Sequence, residues 1–513
     1  MDGVTLQIMS NALRAVAQEM EAALVRAAYS PNITERRDCS TALFDAAGRM
    51  VVQSTSIPVH LGAMPEAVAA VRARGAVTGE IWVVNDPYRG GTHLPDITMI
   101  SPVAIDGALR AYAVTRAHHA DVGGMAPGSM PAGSRELLQE GLVIPPIRLV
   151  RDGTPVDDVL ALILANTRTP VERSGDLRAQ IAAHRLADRR LQEIADRHGA
   201  GRMDAAFVAL FDYAERRTRQ AISAMPDGTW AAREALEGDG ITENDIWIRV
   251  AVTILGDQLR VDFTGTDPAA AGNVNCPIAV TRSAVYFVVR AVTDPDIPAS
   301  AGAFAPVTIV APPGCLVNAR APSAVAAGNV ETSSRIVDAL FAALGQAVDV
   351  PAFGQGTMNN LVIGGAGFAY YETIGGGQGA STAADGPSGV HVAMSNTRNT
   401  PIEALEVAYP LRVLRYGLRH GSGGSGSHRG GDGIERVVQV LVDAEASVLA
   451  ERRQTGPPGR EGGGPGAAGR TSVNGVPVAA KWRGYLHPGD IITIESPGGG
   501  GYGTSKRRIH HGT

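Results

Sequence analysis

The sequence predicts a large mixed α/β (α+β) protein in which a helical segment separates two strand-rich regions. Short apolar runs bounded by glycine, proline and polar turns fill residues 42–117, as is typical of strands. Two long stretches, 176–198 and 203–225, carry the amphipathic pattern of helices, with arginine-rich polar faces. From residue 245 the apolar runs of strands return. These three observations together indicate the fold class.

The composition limits the classes of function. The chain has 513 residues, of which 44% are hydrophobic and 19% charged, so it can bury a large core in two to four domains. Its net charge of -5 provides no basic field, and we expect neither a nucleic-acid nor a membrane partner. The only lysines are Lys481 and Lys506, and neither stands in a Gly-Lys-Ser/Thr motif. A Walker A nucleotide site is therefore excluded, and a lysine-based mechanism is not expected.

The cysteines and the N-terminus predict a cytoplasmic protein. Cys39, Cys276 and Cys315 are widely spaced and form no CxxC pair, as is usual in a reducing compartment. Acidic Asp2 and the lack of a long apolar core argue against a signal peptide. No stretch approaches the roughly 20 apolar residues of a membrane span.

The first elements are a helix and a strand pair. Residues 5–29 carry an apolar stripe spaced three or four apart, which predicts a helix packed on the protein body. A membrane-surface helix is disfavoured, because the polar face has both signs and only two arginines, Arg14 and Arg26. Strands follow at 42–44 and 50–52, and a helix at 65–74.

Two polar residues in this part lie next to predicted elements. Asp38 stands at the entrance of the first strand, and a salt bridge with a neighbouring arginine is the favoured interpretation from the pattern alone. His60 precedes the helix at 65–74, and we interpret it as a hydrogen-bonded structural histidine.

The stretch 82–124 carries the strongest site signal. The apolar run Ile81–Val84 predicts a strand, and the loop after it contains His93 and Asp96 among glycines and prolines. Strands at 97–103 and 109–117 follow, and the second leads into His118, His119 and Asp121. Imidazoles with carboxylates at strand ends are ligands for zinc, manganese or iron, so this stretch is a candidate metal site.

The tandem histidines cannot serve the same ion if the strand continues through them. Adjacent side chains of a strand point to opposite faces, so His119 would share a face with Asp121, and His118 with Arg116. One histidine is then a ligand, and the other supports the ligands or faces the substrate. The pattern leaves open which is which.

The rest of the chain supplies the scaffold. We predict a mostly helical segment at 134–225 with a short helix near 134–140, and a boundary near residue 235. This gives an N-terminal region, 1–235, with the metal site and long helices, and a strand- and glycine-rich region, 236–513. Strands are expected at 246–252 and 259–263, and helices at 281–292 and 333–347. The glycine-rich stretches 375–379, 421–433 and 498–503 fit phosphate loops or close packing, and packing is favoured.

Several motifs in fixed order resemble those of one known family, across nearly the whole chain. They are Asn85-Asp86-Pro87, Gly91-Thr92-His93-Leu94-Pro95-Asp96, His118-His119-Ala120-Asp121, Asn166-Thr167-Arg168, Gly328-Asn329-Val330-Glu331-Thr332, Gly375-Gly376-Gly377-Gln378-Gly379 and Asn396-Thr397-Arg398-Asn399. The chain resembles the hydantoinase B / 5-oxoprolinase B family, which also includes subunits of acetone and acetophenone carboxylases.

The resemblance implies a large multi-layer hydantoinase B-type fold and a two-component enzyme. An A-type ATPase partner would phosphorylate a cyclic amide or ketone, and this chain would hold one divalent metal ion within a hetero-oligomer. ATP would act through the partner. The resemblance implies the metal ligands Asp38, His93, Asp96 and His118, which replaces the salt-bridge interpretation of Asp38. His119 and Asp121 then become catalytic acid/base candidates or supports for the ligands. The metal, whether Zn, Mn or Fe, is left open.

The favoured function is the metal-bearing component of an ATP-dependent amidohydrolase that opens a lactam, hydantoin or 5-oxoproline ring. The alternatives are a component of a biotin-independent ketone carboxylase and a non-catalytic scaffold for the partner. The complete His93, Asp96 and His118 set argues against the scaffold. Bicarbonate-dependent product formation would distinguish the carboxylase from the hydrolase.

Overall fold

The computed structural model describes residues 1–54 and 57–504, and the predicted basic tail at 505–513 lies outside them. Helices occupy several separated parts of this range. They are α1 (Gly3–Ala27), α2 (Pro31–Thr34), α3 (Met64–Arg72), α4 (Asp157–Ala165), α5 (Pro170–His198), α6 (Ala200–Ser223), α7 (Ile278–Val292), α8 (Ser333–Leu344) and α9 (Ile402–Ala408). Among the described helices, none combines the length and hydropathy needed to cross a lipid bilayer.

A seven-stranded sheet forms the N-terminal part. Its strands are β1 (Cys39–Asp45), β2 (Met50–Gln53), β3 (Ile81–Val84), β4 (Asp96–Ile105), β5 (Ala108–His118), β6 (Ile147–Arg151) and β7 (Thr154–Pro155). The strand order is β2-β1-β5-β4-β3-β6-β7, and every neighbouring pair is antiparallel. The strands predicted between residues 42 and 117 are confirmed.

Helices cover the two faces of this sheet. α1, α5 and α6 pack on one face around Met20, Leu24 and Leu43, and α3 covers the other face around Val68 and its neighbours. The apolar stripe predicted for the first helix is buried, which confirms its packing role. Each such side chain removed from water stabilises the fold by about 1.5–3 kcal/mol.

The segment 134–225 is less helical than predicted. Its two long helices are present as α5 and α6, but residues 134–140 form only a 3-10 turn, Leu137–Gln139. Residues 147–151 form β6, which extends the sheet beside β3. The helical expectation there was wrong, because Pro145 and Pro146 disfavour a helix and the short apolar run after them pairs with β3.

A second sheet follows the long helices. Its strands are β8 (Gly228–Leu236), β9 (Ile246–Leu255), β10 (Gln258–Asp262) and β11 (Val307–Val310), in the order β11-β10-β9-β8. α7 and α8 share a core with this sheet, which includes Val252, Val285 and Leu340. The second sheet starts at Gly228, before the predicted boundary near 235, and the division into two regions stays a prediction.

The C-terminal part contains two further sheets. The strands are β12 (Asn360–Gly365), β13 (Phe368–Glu372), β14 (Leu411–Arg419), β15 (Gly433–Val440), β16 (Ala444–Leu449), β17 (Arg470–Val473), β18 (Val476–Pro477), β19 (Lys481–Leu486) and β20 (Ile491–Glu495). One sheet has the order β13-β12-β16-β19, and the other has the order β14-β15-β20-β17-β18. Both contribute to one hydrophobic core.

The glycine-rich stretches pack against one another. A Cβ on Gly377 would overlap the carbonyl oxygen of Gly431, and one on Gly499 would overlap the carbonyl oxygen of Gln378. Backbone hydrogen bonds join the same segments, including Gly431 N–H to Gln378 and Gly499 N–H to Gly431. The close-packing interpretation of these glycines is therefore confirmed.

Candidate metal centre

Three neighbouring strands bring candidate ligands to one edge of the seven-stranded sheet. Asp96 begins β4 and His118 ends β5, and the two residues are direct partners in the antiparallel register. On the other side of β5, the backbone N–H of His118 donates to the carbonyl oxygen of Asp38 at 2.9 Å. Because adjacent strands run in opposite directions, the start of β1, the end of β5 and the start of β4 coincide.

The loop between β3 and β4 presents His93. The side chain of Asn85 anchors this loop through two hydrogen bonds. Its amide N–H donates to the carbonyl oxygen of Leu94 at 2.8 Å, and its amide oxygen accepts from the N–H of Ile144. Gly90 has a φ of 94° and approaches the backbone of Ala67 so closely that a Cβ would overlap it. The Asn-Asp-Pro and Gly-Gly residues of the motif thus fix the path that leads to His93.

His93, Asp96 and His118 form a nearly equilateral triangle of donor atoms. His93 Nε2 lies 3.2 Å from His118 Nδ1, and each of these atoms lies 3.3 Å from Asp96 Oδ1. Ligands about 2.0–2.1 Å from an ion at tetrahedral angles are about 3.3–3.4 Å apart. Two imidazoles and a carboxylate at this spacing fit one face of the coordination shell of a divalent transition metal ion.

The electrostatics of the triangle favour its metal-binding protonation states. Burial opposes ionisation of Asp96, but the histidines around it, His93, His118 and His60, hold the pKa of its carboxyl well below the ordinary value. Burial lowers the pKa of His118, which favours the neutral imidazole. Metal ions bind ionised carboxylates and neutral imidazoles, so both shifts suit a metal site.

His60 belongs to the same cluster. Its Nε2 lies 3.4 Å from Asp96 Oδ2, and its Nδ1 is 2.9 Å from the hydroxyl of Ser40. Thr92 donates a further hydrogen bond to Asp96 Oδ2. The sequence interpretation of His60 as a hydrogen-bonded histidine is consistent with these contacts, but it missed the partner. No spacing signal links residue 60 to residue 96, since the contact is made by packing.

Asp38 faces the same space without joining the triangle. It is buried, its Oδ2 lies 3.7 Å from Arg36 Nη2, and its side chain lines a cavity together with Asp96 and His118. The geometry therefore accommodates both interpretations of this residue, the ion pair with arginine and the metal ligand. Its role as the fourth ligand stays a prediction.

His119 points away from the triangle, as the alternation of the strand predicts. Its Nε2 lies 3.0 Å from Gln180 Oε1 on α5, while the ring of His118 stacks on Tyr371 at 4.3 Å between centroids. Burial, with the nearby charge of Arg173, lowers the pKa of His119 to about 3. Gln180 was not identified from the sequence.

Asp121 is buried, and both of its carboxylate oxygens have partners. Oδ1 accepts from the N–H groups of Gly123 and Arg168, and Oδ2 accepts from the N–H of Gly128 and from the Arg168 guanidinium at 2.9 Å. Asp121 was expected to share a strand face with His119, and its carboxylate oxygens contact these loop groups. The carboxylate instead joins the loop after β5 to the segment before α5.

A small cavity of about 20 Å³ adjoins the triangle. Its lining combines Asp38, Asp96, His60 and His118 with apolar side chains and with the hydroxyl groups of Thr373, Ser395 and Thr397. The apolar residues include Ile57, Val59, Val330, Met358 and Met394. Tyr371 and Asn329 also line the cavity, and sequence reasoning assigned neither to the metal site. A space of this size holds about one water molecule beside the triangle.

The sequence matches a known family over nearly its full length. The sequence profile described as hydantoinase B/oxoprolinase matches residues 2–505. An uncharacterized protein of Methanocaldococcus jannaschii is 39% identical, over 99% of this chain and 92% of its own length. A protein of Pseudomonas sp. that is named as the B-type component of a D-/L-hydantoinase is 33% identical, over 99% of this chain and 91% of its own length. 5-Oxoprolinase 1 of Arabidopsis thaliana is 36% identical over 98% of this chain, which spans only 42% of the plant protein.

Solved structures share the fold. An ATP-dependent caprolactamase from Pseudomonas jessenii superimposes with a TM-score of 0.91 at 28% identity, covering 98% of this chain and 91% of the caprolactamase chain. A nucleotide-free acetone carboxylase superimposes with a TM-score of 0.88 at 20% identity, covering 98% of this chain and 76% of the carboxylase chain. At that identity the second likeness concerns the fold alone.

Proposed function

The chain belongs to the hydantoinase B/oxoprolinase family, and from that premise we propose that it is the metal-bearing, B-type component of an ATP-dependent system that opens cyclic amides. The observation that carries the proposal is the buried triangle of His93, Asp96 and His118 beside a small cavity. The caprolactamase named above, at 28% identity, supports a lactam as the type of substrate.

The ligand set would be His93, Asp96 and His118, with Asp38 as the fourth residue. These residues would hold a divalent ion that would supply Lewis-acid chemistry, namely activation of water and polarisation of the oxygen of the bond under attack. Neighbouring side chains orient the ligands. Thr92 and His60 contact Asp96 Oδ2, and the ring of Tyr371 stacks on the ring of His118. Burial of these residues excludes bulk water, which strengthens their interactions with a bound substrate.

We infer that His119 and Asp121 contribute by positioning. The backbone N–H of His119 donates to the carbonyl oxygen of Pro95 at 2.8 Å, which joins the ligand loop to the end of β5. Asp121 holds the following turn through Gly128 and Arg168. These contacts support a role in placing His93 and His118, in preference to direct proton transfer.

ATP would reach the reaction through an A-type partner. The sequence contains no Gly-Lys-Ser/Thr motif, so this chain offers no lysine-based phosphate loop. The glycine-rich stretches are engaged in packing against one another, which leaves them no role as phosphate loops in our proposal.

Metal content tests the ligand assignment. We expect about one equivalent of a divalent transition metal in the purified wild-type protein and its loss in His93→Ala and His118→Ala, because an incomplete ligand set binds weakly. His184→Gln is the matched control, since His184 is buried and bonds Ser101 and Thr115 away from the triangle. Metal content that is unchanged in the two ligand variants would refute the site.

A further inference from the structure

The triangle of His93, Asp96 and His118 is closed off from solvent. His93 and Asp96 are each 1% exposed and His118 is 2% exposed. The small space beside them, the metal cavity, holds about one water molecule. A divalent ion with its shell of water molecules is larger than that space. Part of the wall therefore has to move before an ion can enter or leave.

A larger pocket lies behind one part of this wall. This outer pocket has a volume of about 500 Å³. Its lining includes Phe287, Phe341, His391 and Arg460. Ser395 lines both the outer pocket and the metal cavity, so the two spaces are one residue apart at that point.

Much of the wall of the metal cavity belongs to regular elements. Asp96 and His118 lie at the paired ends of β4 and β5, and Tyr371 lies in β13. Asn329 lies in the helical turn that leads into α8. Movement of these elements would break several backbone hydrogen bonds at once, so they are poor candidates for an opening.

Residues 391–397, which lie between the metal cavity and the outer pocket, are built differently. All of them are described, and they form neither a helix nor a strand. Backbone hydrogen bonds fix the chain on either side, at Val390 and at Arg398. Between these points Ala393 has a φ of 55°, a left-handed conformation that side chains disfavour. Strained turns of this kind are common in segments that switch between two arrangements.

His391 holds this segment closed. Its Nδ1 lies 3.0 Å from the hydroxyl oxygen of Ser395, and its Nε2 lies 3.3 Å from the hydroxyl oxygen of Thr397. Burial, with the nearby charge of Arg36, lowers the pKa of His391 to about 4, so near pH 7 the neutral ring has one donor and one acceptor nitrogen. Thr397 is bonded in turn to the hydroxyl of Thr373 at 2.7 Å, and both threonines line the metal cavity.

We propose that residues 391–397 form a gate between the outer pocket and the metal cavity, and that His391 is its latch. The proposal rests on the metal-bearing role proposed above, and the ion would enter and leave through the outer pocket. Opening requires the two hydrogen bonds of His391 to break, but no metal ligand has to move. The latch therefore controls the rate of metal exchange and leaves the strength of metal binding unchanged.

Metal release tests the latch. The probe is the divalent ion alone: the loaded chain is mixed with an excess of a chromogenic chelator, and the release rate is measured beside the equilibrium affinity. We expect His391→Ala to release the ion about fivefold to thirtyfold faster than wild type, because the loss of two hydrogen bonds favours opening. The affinity should stay as in wild type. His428→Ala is the matched control, since His428 contacts Asp385 and lines neither space, and it should release the ion at the wild-type rate.

A substitution in the outer pocket tests the route. Ala291 is exposed and lines the outer pocket, so the indole of Ala291→Trp would fill part of that pocket and leave the metal cavity unchanged. We expect slower release of the ion than in wild type. Unchanged release in this variant would overturn the outer pocket as the route of the ion.

Two results in His391→Ala would overturn the latch. One is release at the wild-type rate from a loaded chain, which would leave the metal site itself standing. The other is an affinity that weakens in proportion to the faster release, which would make His391 a support of the ligands. If His391→Ala does not fold, Thr397→Val removes one of the two hydrogen bonds with little change of shape and should also release the ion faster.

Turnover with the A-type partner separates this inference from the proposed function. Faster release at unchanged affinity, in a chain that opens no cyclic amide with the partner and ATP, would support the gate and overturn the amidohydrolase proposal. ATP-dependent ring opening together with equal release rates in wild type and His391→Ala would overturn the gate and support the amidohydrolase proposal.

Discussion

His118 and His119 are adjacent in the chain, yet they contact different parts of the molecule. His118 faces Asp96 and Tyr371, whereas His119 faces Gln180 on α5. The cause is local, since successive side chains of a strand leave it on opposite sides. At the residue scale, this alternation separates a candidate ligand from a residue that supports the ligand loop.

Substitution of the tandem histidines should therefore have different effects. We expect His118→Ala to lose both metal and turnover. His119→Ala should keep the metal, but the void left by the truncated side chain should lower the free energy of unfolding by about 2–3 kcal/mol. If His119 acts by positioning, His119→Gln should retain most of the wild-type turnover, and the pH profile of that turnover should be unchanged. Metal analysis beside kcat and KM checks this. Loss of metal in His119→Ala with retention in His118→Ala would exchange the two roles.

Glu331 gives a residue-scale prediction about pH. Burial, reinforced by the charge of Glu451, raises the pKa of Glu331 to about 7, and its Oε1 accepts from Met358 N–H and Asn360. Between about pH 4.5 and pH 7 the folded state then binds more protons than the unfolded state. The free energy of unfolding should fall by about 3 kcal/mol as the pH rises through this window.

Glu331→Gln mimics the protonated acid and should remove this part of the pH dependence. The comparison is urea unfolding of wild type and variant at pH 5.5 and pH 8. Burial also raises the pKa of Glu140 to about 7, so wild type and variant share that background. An identical fall of stability with pH in both proteins would contradict the assignment to Glu331.

At the scale of elements, the site depends on strand register. Asp96 and His118 meet because β4 and β5 pair without a shift at that end, and Asp38 meets His118 through β1. A slip of one residue would turn each ligand to the opposite face of the sheet. The helices α5 and α3 lock this register from both faces of the sheet.

The packed glycine segments give the element-scale prediction. Gly499→Ala should lose about 3 kcal/mol or more, because its Cβ would overlap the rigid carbonyl of Gln378. Gly417→Ala on β14 is the matched control, since a Cβ there meets open space, and it should change stability by less than about 0.5 kcal/mol. Urea unfolding measures both. Equal stabilities would show that the glycine packing tolerates side chains.

At the scale of the whole molecule, the cavity is built from segments far apart in the sequence. The seven-stranded sheet contributes Asp96 and His118, the turn before α8 contributes Asn329, and β13 contributes Tyr371. The protein has to assemble its N- and C-terminal parts before the cavity exists. The first sheet alone would present the ligands without the wall that faces them.

Dependence on a partner is the whole-molecule prediction. The isolated chain should show neither ATP hydrolysis nor opening of a lactam, because it has no lysine-based phosphate loop. Addition of an A-type ATPase should produce ATP-dependent ring opening, which His93→Ala should abolish. Phosphate release and amine formation are the measurements. Robust ATP-dependent hydrolysis by the isolated chain would contradict the two-component proposal.

Sequence by itself determined the features that depend on short-range periodicity and chemistry. The helical spacing of 5–29, the apolar runs between 42 and 117 and the alternation at His118 and His119 all predicted elements that are present. Proline and glycine marked the loop that carries His93 and Asp96, because few other structures tolerate them in that order. The family motifs identified the fold.

Tertiary structure alone decided which distant residues meet. His60 reaches Asp96, Gln180 reaches His119, and Asn329 enters the cavity, each through packing of elements that share no spacing in the chain. It also determined that residues 147–151, which form β6, pair with β3. Local pattern encodes the direction of a side chain, whereas its partner depends on the free energy of the whole packed core.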